Sequence, residues 1–205
     1  RMLIAARTAD LTSYQSAAYA KRYGEFVAQV QEVETRQGGN GSFTTAVATN
    51  LFKLMAYKDE YEVARLYTDG RFNAALTSEF EGNAAIRFHF APPFLHGRDA
   101  RGIPAKRAFG PWVLHALRVL AALRRLRGTP FDVFGRSEDR RLERQLIEEY
   151  RDAVEIAITH IERFGLECMS ESALAIACVP EKIRGFGHVK RASAEVSRVR
   201  MKILI

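Results

Sequence analysis

The stretch Leu51–Asp69, LFKLMAYKDEYEVARLYTD, limits the possible folds most sharply. No Gly or Pro interrupts it, and Leu, Met, Ala, Glu and Arg dominate it, a composition that favours helix. At about 100° per residue, Phe52, Ala56, Val63 and Leu66 form one stripe. Leu51, Leu54 and Met55 form a second, and Tyr57, Tyr61 and Ala64 a third; only Lys53 and Glu60 share a polar line. A helix apolar nearly all round belongs in an interior. The expectation is one central helix over Phe43–Tyr67, capped by Ser42 and closed by Asp69-Gly70. Its charges are then informative, because a buried charge needs a partner. Two readings stay open. Lys58–Glu62 and Glu62–Arg65 can form an intrahelical ladder, or Lys58, Asp59 and Arg65 face a partner or another domain.

The flanking segments are also mainly helical in pattern. Leu3–Glu34 repeats apolar residues at three- and four-residue steps, with Tyr14 and Tyr19 suited to core or interface roles. Gln37–Gly41 reads as a flexible link. Arg71–Phe80 reads as a short helix. Ile86–Phe90 alternates like a strand, and a second strand around Pro104–Phe109 would complete a two-stranded ribbon. Pro111 opens a helix reaching Arg127, and Gly128 stops it. Thr129–Gly135 is a connector with Phe131 and Phe134 available as anchors. Ser137 caps the longest helix, whose stripe is Leu142, Leu146, Tyr150, Ala153, Val154, Ala157 and Ile161, ending at Gly165. A short helix Ser172–Val179 stops at Pro180, and a basic helix runs to about Lys202 before an apolar end, Ile203–Ile205, expected to pack. The fold class is therefore mainly α, a single helical domain over residues 1–205 with one short strand or a two-stranded β-ribbon. The first residue is Arg, so the chain is expected to be cut from something longer or to have lost its start.

Composition adds bounds. With 47% hydrophobic and 27% charged residues the chain can build a soluble core. No run of about 18 apolar residues exists, so no membrane span is expected. Cys168 and Cys178 suit a reducing, cytoplasmic setting and read as small core residues. The net charge of +7 concentrates in Arg98–Arg127 and in the tail from Glu181. Such patches meet nucleic acid, phosphorylated cofactors or acidic protein; the plainer alternative is a solvated face paired with the acidic stretch Glu138–Glu155.

No nucleophile elbow, Cys-x-x-Cys, zinc-protease or P-loop motif occurs. None of His89, His96, His115, His160 and His188 pairs with another at helical metal-ligand spacing. The loop Arg98–Pro111, with His96 and Lys106, reads either as an anion contact or as a plain surface hairpin. His188 is notable for lying with Arg184 and Lys190 around Gly185 and Gly187, where a helix starts and backbone amides favour anions. The alternative is a loop-to-helix junction in which the glycines serve only to turn the backbone.

Longer segments carry a resemblance. FKLMAYKDEYEVARLYTD, RFHFAPPFL, LRGTPFDVFGRSEDRRLER and IRGFGHVKR resemble the C-terminal region of bacterial indolepyruvate ferredoxin oxidoreductases, large fused 2-oxoacid oxidoreductases, from about Tyr14 to about Lys190. The resemblance implies a parent that uses thiamine diphosphate, Mg²⁺, 4Fe-4S clusters and CoA. Such a parent decarboxylates arylpyruvates oxidatively to acyl-CoA and reduces ferredoxin. In that family the thiamine site and cluster cysteines lie upstream, and this chain has neither a diphosphate–Mg²⁺ motif nor cluster cysteines. No catalytic or metal-ligating residue is therefore carried over. The expected role is a non-catalytic accessory domain that packs on the catalytic domains of the same polypeptide, helps them to oligomerise, or covers a substrate or CoA entrance. Lys58, Asp59, Arg65, Lys106, Arg184, Gly185, Gly187, His188 and Lys190 are the candidates for domain or anion contact.

Two rivals stand beside it. A stand-alone basic module could bind nucleic acid or another anionic partner, but no recognition-helix motif or aromatic stacking platform accompanies the basic runs. An independent enzyme built on the loop and His188 would need convergent groups in one pocket.

Overall fold

The computed structural model describes residues 2–80, 86–90 and 107–205. It is mainly α, with one two-stranded antiparallel sheet among the described residues. The chain divides into two compact units, one running to Tyr57 and resuming over Leu126–Ile205, the other Lys58–Arg125.

The larger unit is built from α1 (Met2–Tyr14), α2 (Ala17–Arg36), α3 (Ser42–Met55), α7 (Glu138–Phe164), α8 (Leu166–Cys178) and α9 (His188–Leu204). Leu11, Tyr23, Val27, Val30, Val47, Leu51, Val154 and Ile161 are fully enclosed where these helices meet. The expected helix over Leu3–Glu34 is two helices. Ser16 ends the first and caps the second, its hydroxyl accepting from Tyr19 N at 3.2 Å. Three tyrosines then tie these helices to α3. Tyr23 Oη donates to Ala48 O at 3.0 Å, Tyr19 Oη to Met55 O at 3.0 Å and Tyr14 Oη to Tyr57 O at 2.8 Å. The last two carbonyls lie at or beyond the end of α3, where no helical N–H follows to satisfy them.

The start of α3 departs from expectation too. Gly41, not Ser42, is its N-cap and contributes no side chain. Glu34, on the preceding helix and 3% exposed, supplies the acceptors. Its Oε1 accepts from the backbone N–H of Gly41 at 3.0 Å and of Phe43 at 3.1 Å. Its Oε2 accepts from Thr44 N at 2.8 Å and Thr44 Oγ1 at 2.5 Å. A buried carboxylate thus satisfies the orphan donors of a helix start and complements its positive dipole end. Gly39 permits this approach, since a Cβ there would lie 2.3 Å from Glu34 Cγ.

The expected central helix ends at Met55, and a second helix, α4 (Glu60–Thr68), begins after Asp59. The smaller unit holds α4, α5 (Arg71–Glu79), β1 (Phe88–Phe90), β2 (Arg107–Phe109) and α6 (Val113–Ala122). Phe88 pairs with Phe109 and Phe90 with Arg107, the ribbon expected from the alternation. Tyr67 sits edge-on against Phe72, Phe88 and Phe90 at ring separations of 4.9, 5.5 and 5.6 Å, and Ala64, Val113, Leu117 and Ala121 complete this core. The chain past α6 tightens into a 3₁₀ turn, Leu123–Leu126, where a longer helix was expected.

Candidate functional site

Two candidates of the smaller unit, Asp59 and Arg65, have partners within it. Asp59 is buried, and its Oδ1 accepts from Glu62 N at 2.8 Å as the N-cap of α4. Arg65 makes a two-pronged bond to Glu62, at 2.7 and 2.8 Å, and reaches Asp69 at 3.2 Å. The Glu62–Arg65 half of the expected ladder is therefore present. Lys58 is exposed just before the helix. Lys106 and His96 lie outside the described residues.

The candidates Arg184–Lys190 form the turn leading into α9 in the larger unit. Gly185 has φ +89°, and a Cβ there would lie 2.6 Å from Val189 Cγ1, so glycine is required on both counts. Gly187 (φ +55°) caps α9 without a side-chain acceptor. Ser193 Oγ accepts from Arg184 N at 3.1 Å, and its proton serves Arg184 O or Lys190 O, both 3.0 Å away. Lys190 Nζ meets Glu143 Oε2 on α7 at 2.6 Å, with side chains only 18% and 7% exposed. Arg184 and His188 are exposed. Lys53, from α3, joins this corner and donates to Pro180 O at 2.8 Å and Glu181 O at 3.3 Å. Partial burial first, then the neighbouring charges of Arg184 and Lys190, hold its ammonium below the usual lysine range, and Glu181 opposes them.

Part of the basic tail is paired where the plainer reading of the sequence placed it, on the acidic stretch of α7. Arg191 meets Glu138 at 3.0 Å and Asp139 at 2.8 Å, and Arg198 meets Glu149 at 2.8 Å. The cysteines correct their expectation: Cys168 is exposed and Cys178 half-buried, neither a core residue. Burial and Glu181 push the Cys178 thiol up, away from the reactive thiolate. Among the described residues no three His, Cys, Asp or Glu side chains gather as metal ligands. Phe131 also departs from its expected anchoring role, being exposed. Buried Asp132 organises that connector instead, accepting from Gly128 N at 2.7 Å and Gly135 N at 2.9 Å.

Two features escaped sequence reading. The first is a cavity of about 180 Å³ in the larger unit, walled by Arg22, Arg127, Arg144 and Arg151 with Glu148 as the carboxylate among its lining residues. Arg127 is buried, stacks on the Tyr14 ring at 3.7 Å and donates to Tyr14 O at 2.7 Å. Leu51, Met55 and Ile147 give the cavity an apolar side.

The model of a family described as "Family of unknown function (DUF6537)" matches residues 1–203. The chain belongs to the DUF6537 family. No curated protein and no solved structure matches it. The likeness to indolepyruvate ferredoxin oxidoreductases therefore stands on the sequence segments alone.

The second missed feature of this DUF6537 chain is the outer face of α9. Ala194 and Ser197 are buried against the unit. Val189, Ala192, Val196, Val199 and Ile203, spaced alternately three and four apart, all face outward. Val196 is 69% and Ile203 78% exposed, so the apolar end expected to pack is partly turned to solvent. This is the spacing of a heptad seam, with β-branched residues at successive a positions. It was readable in the sequence, but the arginines and lysines between its members made the helix look simply basic. Among the described residues, no helix is long and apolar enough to cross a membrane.

Proposed function

We propose that the chain is a non-catalytic helical domain of a fused 2-oxoacid:ferredoxin oxidoreductase akin to the indolepyruvate enzymes, and that it docks on the catalytic domains of the same polypeptide. The observation that carries the docking is the seam of α9. A 17-residue helix spans about 25 Å, and exposed Val189, Val196, Val199 and Ile203 along one line are the face that a second helix covers by knobs-into-holes contact. Contiguous exposed apolar surface of this kind marks interaction sites. The turn with Arg184, Gly185, Gly187, His188 and Lys190 leads directly into that helix, with Arg184, Phe186 and His188 exposed beside its first turn.

Thiamine diphosphate, Mg²⁺, clusters, CoA and the electron path to ferredoxin belong, on this reading, to the rest of the polypeptide. The residues here do not fit a cluster, for Cys168 and Cys178 are two thiols where four ligands are needed. Nucleic-acid binding is less favoured because Lys190, Arg191 and Arg198 of α9 are engaged with carboxylates of the same unit.

The test is Val196→Glu with Val199→Glu in the full-length enzyme. Both side chains are exposed, so the domain itself should fold normally. The proposal expects 2-oxoacid turnover and assembly to fall together. Unchanged turnover and assembly in the doubly substituted enzyme would sink it.

A further inference from the structure

We propose that the arginine-walled cavity of the larger unit is a binding site for a small oxyanion, a phosphate or carboxylate group carried on a compact body. The inference does not depend on the docking role. It starts from charge. Arg22 comes from α2 and Arg144 and Arg151 from α7, and all three line the cavity with Glu148. Arg151 Nη1 stands 3.4 Å from Glu148 Oε2, a long contact for an ion pair. Arg22 lies over the Tyr19 ring at 5.0 Å and has no carboxylate in ion-pair reach among the described residues. Arg144 gives Nη2 to Gly135 O at 2.7 Å.

The wall carries the guanidinium groups of Arg22, Arg127, Arg144 and Arg151 against the single carboxylate of Glu148. Because the local charge is positive, an anion is the complement that also gains Coulomb energy. Arginine's planar fork suits both carboxylate and phosphate oxygens.

Size narrows the ligand. A volume of about 180 Å³ accommodates a phosphate group or a short organic acid. Leu51, Met55 and Ile147 give that ligand an apolar contact, and the Tyr19 and Tyr57 rings flank it.

The experiment is calorimetric titration of the 205-residue chain with inorganic phosphate and, separately, with phenylacetate. Chloride at matched ionic strength is the baseline, and thermal unfolding is followed in parallel. The proposal expects saturable binding of at least one anion and a Tm that rises with its concentration. Stronger phosphate binding identifies a phosphorylated ligand, and stronger phenylacetate binding an organic acid. Arg151→Gln and Arg22→Gln should each weaken binding about tenfold or more, the scale of one charge-assisted hydrogen bond. Arg36→Gln, at a surface pair with Glu32 and Glu162, should leave it unchanged. Arg22 is exposed, so its variant should fold even if Arg151→Gln does not. Absence of saturable binding for both anions, or equal affinity in the wild type and Arg22→Gln, overturns the proposal.

Discussion

Removing the Glu34 carboxylate tests the physical account of the larger unit most severely. In Glu34→Ala, three backbone N–H groups at the start of α3 and the Thr44 hydroxyl lose their acceptor together. A lost N-cap alone costs about 1–2 kcal/mol. Here the acceptor is charged and 3% exposed, and each hydrogen bond to a charged group contributes about 1.5–3 kcal/mol. The four bonds are not additive, because water will reach some donors once the side chain is gone. A loss of about 3–5 kcal/mol is the resulting expectation, in the range reserved for broken buried networks. For a chain of this size that lowers Tm by roughly 2–4 °C per kcal/mol. Urea unfolding followed by circular dichroism gives the value, with Glu34→Gln as companion. Gln keeps an acceptor oxygen but loses the charge, so it should fall between wild type and Ala. A loss below about 1 kcal/mol for Ala, the level of an ordinary surface cap, would refute the reasoning.

Three further outcomes follow from the same structure. Gly39→Ala should destabilise measurably in the same urea assay, because its Cβ would meet Glu34 Cγ at 2.3 Å and Glu34 O at 2.9 Å, and the second of these is backbone. Lys190→Ala should cost about 3 kcal/mol or more by stranding Glu143, whereas the double change Lys190→Met with Glu143→Leu should restore much of it. A double-mutant cycle with no coupling would show that the 2.6 Å pair is idle. Alkaline pH should unfold the chain through its tyrosines. Burial pushes Tyr23 up to about 12, with Arg7 opposing, and holds Tyr150 well above its usual value. The unfolded chain then loses these protons near pH 10 while the folded chain keeps them, so stability is full below about 10 and falls as pH rises toward 12. Tyrosinate absorbance should show these two groups ionising only with unfolding, and free titration in the folded state would contradict it.

The elements that could be read were those with local punctuation. The 27-residue α7 was legible because Ser137 caps it, Gly165 ends it and a single stripe faces the core. Leu51–Asp69 misled for the opposite reason. An all-round apolar pattern fits one enclosed helix, and it fits equally two helices that bury different faces. The deciding signal was present in Asp59 with Glu62 three residues later, a helix-start pattern that needs neither Gly nor Pro. Ser16 was a similar quiet cap inside Leu3–Glu34. The cap of α3 could not be read from its own neighbourhood, since Glu34 reaches it across the turn from the preceding helix. The arginine cavity is harder still. Arg144, Glu148 and Arg151 share a face of α7 by their spacing, but Arg22 joins them only through the tertiary fold. The turn Arg184–Lys190 was correctly placed at a helix start, and of the ladder offered for the charges of Leu51–Asp69 the Glu62–Arg65 half is present.

The central proposal is that the chain is one domain of a longer 2-oxoacid oxidoreductase and that the outer face of α9 is covered by the other domains of that proposed enzyme. Amide hydrogen exchange of residues 188–204, measured in the isolated chain and in the full-length enzyme at the same pH and temperature, addresses it directly. The account predicts slower exchange along α9 in the full-length enzyme, while α2, already enclosed, exchanges alike in both. Equal exchange of α9 in the two would contradict it.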